Sequence, residues 1–282
     1  GSDDQTYTVM CDYAARNANI SAIRIDHGGP GAARNAGIDL AKGKWLMFVD
    51  GDDYVDQDFC RIPYETAIEH QADIVWFNYQ YDPVDFRPVL AFPYKKPTEI
   101  SKEEAMLGCI ESNGNVCWNK IYRAELFREL HFPEHTYYED AALLYLVLDH
   151  AETIYWINDE LYHYRKGTPS ITNTFSVKSL NEYFSCHYNQ GLYIKNHYPE
   201  VFQKMSHFYV DMSVVYSVRI RKKDAEPENY QNCIRILKNR NYPSPKQARK
   251  ILLRFLFCHF RPLFNLLAEL AHQRNYRMED SL

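Results

Sequence analysis

The chain has 282 residues, 46% of them hydrophobic, which is ample for a sizeable core. Its 37 acidic and 32 basic residues give a formal net charge of -5, so it lacks the basic excess that draws proteins to nucleic-acid phosphates, and no nucleic-acid partner is expected. Its seven cysteines are widely spaced and contain no C-x-x-C pair, which argues against a zinc or dithiol redox motif and fits a reducing cytoplasm.

Taken in chain order, Gln5 to Ala18 reads as a helix, and Ser21 to Asp26 as a short strand ending in the turn signal His27-Gly28-Gly29. A second helix starts at Pro30. Its small residues Ala32, Ala33, Ala36 and Gly37 form a slim face for close packing, and Gly43 stands where a C-cap belongs. The strand Lys44 to Val49 shows no polar alternation, as expected of a strand buried on both faces of a mostly parallel sheet, and it runs into Asp50-Gly51-Asp52-Asp53. Next come a helix over about Gln57 to Gln71, a strand from Asp73 to Tyr79 and a Pro-rich loop between Tyr81 and Pro97. Helical segments follow at Lys102 to Glu111, Lys120 to Leu130 and Glu139 to His150, then two short strands at Thr153 to Ile157 and Leu161 to Arg165. This alternation indicates an α/β domain over residues 1–172.

From Ser176 onward the periodicity is helical, broken by Pro199, Pro227, Pro243, Pro245 and Pro262, which predicts a helical C-terminal appendage over residues 173–282. The first five residues are polar and acidic, unlike a secretory leader. No stretch reaches the ~18 apolar residues of a membrane span. The segment Arg249 to Leu270 mixes basic and apolar residues and has two readings, a core helix of the appendage or a segment lying in a bilayer interface.

Asp50, Asp52, Asp53 and Asp56 cluster at the carboxyl end of a strand, where ligands bind in open α/β sheets. Asp50 and Asp52 suit a hard divalent cation, Mg²⁺ or Mn²⁺, that also bridges a diphosphate. The alternative is a set of acids that only caps the following helix. An EF-hand is excluded, because Val55 occupies the position of that loop's glycine and Arg61 that of its bidentate glutamate.

The stretches His27-Gly28-Gly29-Pro30-Gly31-Ala32-Ala33-Arg34-Asn35-Ala36-Gly37 and Lys42 to Asp53 resemble the Gly-Gly, Ala-Arg-Asn-x-Gly and D-x-D-D segments of the family 2 glycosyltransferases with the GT-A fold, in that family's order and spacing. Trp118-Asn119-Lys120-Ile121-Tyr122, Tyr138-Glu139-Asp140, Leu161 to Arg165 and Ser170-Ile171-Thr172 extend the likeness towards bacterial members that build capsule, exopolysaccharide or lipopolysaccharide glycans. The resemblance covers roughly Gly1 to Thr172 and implies a Rossmann-like GT-A domain. Family members begin with a strand, a helix and a second strand that closes in an Asp-Asp-Gly-Ser type turn. Gly1-Ser2-Asp3-Asp4 looks like the close of that turn, so about 30 to 40 residues, which hold the nucleotide base in the family, are expected upstream.

The resemblance also implies roles. Asp50, Asp52 and Asp53 would serve the metal, with Asp53 orienting the site. Gly28, Gly29, Arg34, Asn35, Asp50 and Arg165 would serve the nucleotide sugar, and Asp140 would act as the base with Glu139 in support. Bland readings stand beside these: Arg34 as an exposed helix arginine, Glu139 and Asp140 as favourable first-turn charges, and His163 as a structural histidine rather than a third metal ligand. Trp118 and Tyr138 read either as an acceptor-side aromatic wall or as core.

The expected activity is inverting transfer of a hexose or N-acetylhexosamine from a UDP-sugar to a carbohydrate or lipid-linked acceptor. The expected location is the cytoplasm, peripheral to the inner membrane in a bacterium. A noncatalytic sugar- or partner-binding module and a nucleotidyltransferase are the competing classes.

Overall fold

The structure, a computed structural model, describes residues 1–82, 92–111, 114–166, 176–239, 241–242, 248–260 and 262–268. Helix α1 (Thr6–Arg16) buries none of its residues, and the segment expected as a strand at 21–26 stays irregular, with Ile20 and Ile23 exposed. A strand needs a hydrogen-bonding neighbour, and among the described residues this segment has none. Helix α2 (Gly29–Leu40) ends at Ala41, whose N–H donates to Ile38 O, so Gly43 lies beyond the cap rather than in it.

Among the described residues six strands form one sheet: β1 (Trp45–Met47), β2 (Tyr54–Val55), β3 (Ile74–Asp82), β4 (Thr98–Ile100), β5 (Lys120–Arg123) and β6 (Ile154–Arg165). Their order is β1-β5-β3-β6-β2, with β4 on the start of β6. Only β3 and β6 pair in parallel among the described residues; the other pairings are antiparallel. The α/β class is as expected, but the sheet is mixed rather than mostly parallel, because β5 is inserted antiparallel between β1 and β3.

The doubly buried strand is β3 rather than β1, which is only half-buried. Ile74 and Trp76 enter the core on one face of the sheet, and Val75, Phe77 and Tyr79 enter the core on the other. Each such large apolar side chain contributes roughly 1.5–3 kcal/mol on burial.

Residues 120–130, expected as a helix, form β5 and a short 3-10 turn over Ala124–Phe127. Ile121 and Tyr122 serve opposite cores, a period of two that the helical look of Ala124 to Phe127 masks in the sequence. The two strands expected at 153–157 and 161–165 join into β6. The register steps from Phe77 opposite Ile157 to Asn78 opposite Glu160, which leaves Asn158 and Asp159 as extra residues in a bulge.

Helices α3 (Arg61–Glu69), α4 (Lys102–Glu111) and α5 (Glu139–His150) cover the sheet, and α4 and α5 lie where the sequence places them. Helices α6 (Val177–His197), α7 (Pro199–Arg219), α8 (Pro227–Lys238) and α9 (Ala248–His259) follow. Phe184, Met205 and Tyr209 share one core with Met106, Leu144 and Leu148. Helices α6 and α7 approach closely at Gly191, where an added Cβ would lie 2.5 Å from the Tyr209 ring. Asp149 at the end of α5 accepts hydrogen bonds from the hydroxyls of Tyr193 and Tyr198, which tie the appendage to the α/β part. The expected boundary near Thr172, with Ser170 and Ile171, and residues 83–91 of the Pro-rich loop lie outside the described residues.

Candidate active site

The amino end of α2 is built against the segment that leads into α5. Gly29 has φ +80°, a left-handed conformation that suits glycine, and Gly28 O accepts from His135 N at 2.8 Å. A Cβ at Gly31 would lie 2.3 Å from Pro133 O. Asn35 is buried, and its amide exchanges two hydrogen bonds with the Phe132 backbone, donating from Nδ2 at 2.8 Å and accepting at Oδ1 at 2.9 Å. Gly28, Gly29 and Asn35 therefore sit at a seam between two chain segments, and the Asn35 amide is committed to the Phe132 backbone and, at 3.5 Å, to Glu134 Oε1.

That seam sets the position of Arg34. Its Nη2 donates to Asp50 Oδ1 at 2.9 Å, and its Nη1 pairs with Glu139 Oε1. The Arg34 and Glu139 side chains are only 14% and 6% exposed, so this is a desolvated pair and not the surface arginine of the bland reading. Asp50 is 33% exposed, and with Arg34 it borders an open cleft of about 580 Å³ between α2 and β1. Residues 34, 50 and 139, far apart in sequence, thus meet at one guanidinium.

Asp140, next along the first turn of α5, is half-buried and accepts at Oδ1 from Ala141 N at 2.7 Å. Burial, with Glu139 as neighbour, pushes its carboxyl up to about 7.

The D-x-D-D turn is held from β6. Tyr162 donates its hydroxyl to Asp53 Oδ2 at 2.6 Å and accepts from Asp50 N at 3.2 Å, while Arg165 N donates to Asp53 Oδ1 at 2.8 Å. Burial raises the Asp53 carboxyl above its ordinary value despite these bonds. Asp52 is exposed, and no described residue bonds its carboxylate. Arg165 is also exposed, with Nη1 at 3.4 Å from Asp52 O.

Among the described residues no three His, Cys, Asp or Glu side chains stand together as a metal site. The available donors are therefore Asp50 and Asp52, since both Asp53 oxygens already accept hydrogen bonds. Two carboxylates fit a hard divalent cation of the Mg²⁺ kind, for which oxygen donors are the suitable ligands.

The remaining candidates are structural in their contacts. His163 stacks on Tyr54 at 4.5 Å and its Nδ1 lies 2.8 Å from Gln80 Nε2. Trp118 is buried and stacks on Tyr162, and the Tyr138 hydroxyl lies 3.1 Å from Ser179 Oγ. Tyr162 is a site residue that the sequence does not single out. Its hydroxyl joins Asp50 to Asp53, and nothing local in Leu161 to Arg165 signals that.

Residues 1–131 match the model of the family described as glycosyl transferase family 2. An uncharacterized glycosyltransferase of Bacillus subtilis, EpsJ, is 29% identical over 205 residues, which are 70% of this chain and 60% of that protein. Glycosyltransferase GlyA of Streptococcus pneumoniae is 28% identical over 190 residues, 64% of this chain and 27% of that protein. The chain thus spans 60% or less of the length of these two relatives.

Among solved structures, Staphylococcus aureus TarS 1–349 in complex with UDP-GlcNAc superposes with a TM-score of 0.64 at 19% identity, covering 98% of this chain and 78% of that one. The likeness in fold therefore extends past the α/β part into the helices. Together these findings identify the chain as a relative of the bacterial family 2 glycosyltransferases with a GT-A type fold, residues 1–131 carrying the family match.

Proposed function

We propose that the chain is the catalytic part of an inverting glycosyltransferase that moves a sugar from a nucleotide sugar, a UDP-hexose or UDP-N-acetylhexosamine, to a carbohydrate or lipid-linked acceptor in cell-surface glycan synthesis. The observation that carries this reading is the Arg34 bridge, which holds the D-x-D-D turn and the Glu139-Asp140 pair together through Asp50 and Glu139. A transferase needs that juxtaposition. One group must meet the departing diphosphate while another removes the acceptor proton on the opposite side of the anomeric carbon.

In this reading Asp50 and Asp52 would hold a Mg²⁺ or Mn²⁺ ion, which would supply Lewis-acid neutralisation of the leaving diphosphate. Arg34 adds positive charge beside that diphosphate and spaces the two acidic motifs. Arg165, exposed beside Asp52, reaches towards the same anion. Asp53 orients the turn through Tyr162 and Arg165 N. Asp140 takes the acceptor hydroxyl proton at its carboxylate, and a pKa of about 7 suits a base working near neutrality.

The same reading includes cytoplasmic placement with peripheral membrane contact through α9. Ile251, Leu252 and Phe255 are exposed on one side of that helix while Leu256 and Phe257 are buried on the other. Residues 248–268 contain Arg249, Lys250, Arg254 and Arg261 and no acidic residue, in a chain of net charge -5. No described helix is long and apolar enough to cross a membrane, so contact would lie in the interface plane.

The test is Asp52→Ala in the complete protein. It should abolish cation-dependent transfer or hydrolysis of a UDP-sugar, and undiminished turnover overturns the metal role. Calorimetric titration of the wild type with UDP and Mn²⁺ separates the alternative class: saturable heat without any turnover would leave a noncatalytic binding module.

A further inference from the structure

Lys120 is a fully buried cation that the proposed chemistry does not use. Its Nζ donates to Gly114 O at 2.9 Å, Val116 O at 2.8 Å and Asn119 Oδ1 at 2.7 Å, and it lies 4.1 Å from the centre of the Trp76 ring. Three acceptors consume all three ammonium protons, whereas a neutral amine has only two to give. The geometry therefore calls for the charged form, although burial pulls the amine down to about 7.

The segment clamped in this way, residues 114–119, has no slack. A Cβ at Gly114 would lie 2.3 Å from Trp76, Tyr122 Oη donates to Cys117 O at 3.0 Å, and Phe77 N donates to Asn119 O at 3.0 Å. The segment presents Trp118, whose ring stacks on Tyr162 with centroids 4.1 Å apart and planes 13° apart, while Tyr79 meets it edge-on at 4.7 Å. Tyr162 in turn places its hydroxyl between Asp50 N and Asp53 Oδ2.

We infer that Lys120, Trp118 and Tyr162 form a buried pillar that positions the D-x-D-D turn, with Lys120 fixing the indole, the indole fixing the phenol ring and the phenol hydroxyl fixing Asp50 and Asp53. All three are positioning residues, since none of them reaches the cleft beside Arg34 and Asp50. A cation suits the base of such a pillar because one group satisfies three carbonyls from different points of the segment at once. The kinetic part of this inference rests on the proposed transferase reading, and the geometric part does not.

Hydrogen exchange followed by mass spectrometry in the complete protein tests the geometric part without donor or acceptor. Tyr162→Phe keeps the stacked ring and removes only the hydroxyl, so exchange in the peptide covering residues 45–56 should rise about fivefold, as for the loss of one hydrogen bond, while β3 and α5 stay protected. Lys120→Met should raise exchange in residues 114–119 and, through Trp118, in residues 45–56 as well. Faster exchange confined to 114–119 overturns the pillar, as does an unchanged 45–56 peptide in Tyr162→Phe.

If Lys120→Met does not fold, Trp118→Leu tests the same transmission, because it removes the stacked ring and leaves the clamp intact. In an active protein Tyr162→Phe should raise the donor KM and the cation concentration for half-activity several-fold with little change in Tm. A plain loss of stability instead lowers Tm and leaves the cation requirement where it was. A wild type without turnover, with the variants still showing the exchange pattern, would reject the transferase and keep the pillar.

Discussion

Removing the Arg34 guanidinium should be among the most damaging single changes in the chain. In Arg34→Met, Glu139 stays at 6% side-chain exposure with no counter-charge, and Asp50, at 33%, loses a milder partner. Breaking a buried pair from one side typically costs about 3–5 kcal/mol, because the survivor is left charged and desolvated. Replacing both partners by Arg34→Met and Glu139→Gln removes the uncompensated charge, so the double variant should recover about 2 kcal/mol relative to the sum of the single ones.

Urea denaturation of the four proteins gives the cycle. Single-variant losses that add to within ~0.5 kcal/mol would show that the two side chains do not depend on each other, and the central claim about the site would fail.

Asp140→Asn should abolish transfer, and the wild-type kcat/KM should climb with pH through about 7, since only the deprotonated carboxylate accepts a proton. The sign for stability is the reverse. A carboxyl raised from 3.8 to about 7 binds its proton more tightly in the folded state, so folding is weakened as pH rises across that window, and Asp140→Asn should melt higher than wild type above pH 7. Asp149→Ala removes the acceptor of the Tyr193 and Tyr198 hydroxyls and should cost about 2–4 kcal/mol, read as a lower urea midpoint. Burial opposes the Asp149 charge, but these bonds hold its carboxyl below the ordinary value, so their contribution is present above about pH 4 and is lost as pH falls further. In vesicle sedimentation the protein should bind anionic lipid in preference to neutral lipid, and Leu252→Glu with Phe255→Glu should abolish binding; equal binding by that variant removes α9 from any membrane contact.

The sequence alone determined the parts of this protein that rest on local order. Helices α4 and α5 are written in acidic first turns followed by helix-forming apolar runs, the turn at Gly28-Gly29 in its glycines, and the family likeness in motifs whose residues are contiguous. Local signals misled where period and propensity disagreed. Lys120 to Arg123 became a strand because its side chains are shared between two cores, a fact that no window of eleven residues contains. Ser21 to Asp26 has strand-like composition but no described partner.

Only the tertiary structure decided what the acidic residues do. Asp50, Asp52 and Asp53 are alike in the sequence, yet one pairs with Arg34, one faces solvent and one is bonded to Tyr162 and Arg165 N. The division follows from which distant side chain folding brings within about 3 Å. A carboxylate's function depends on that neighbour and on its exposure to water, neither of which is a property of adjacent residues.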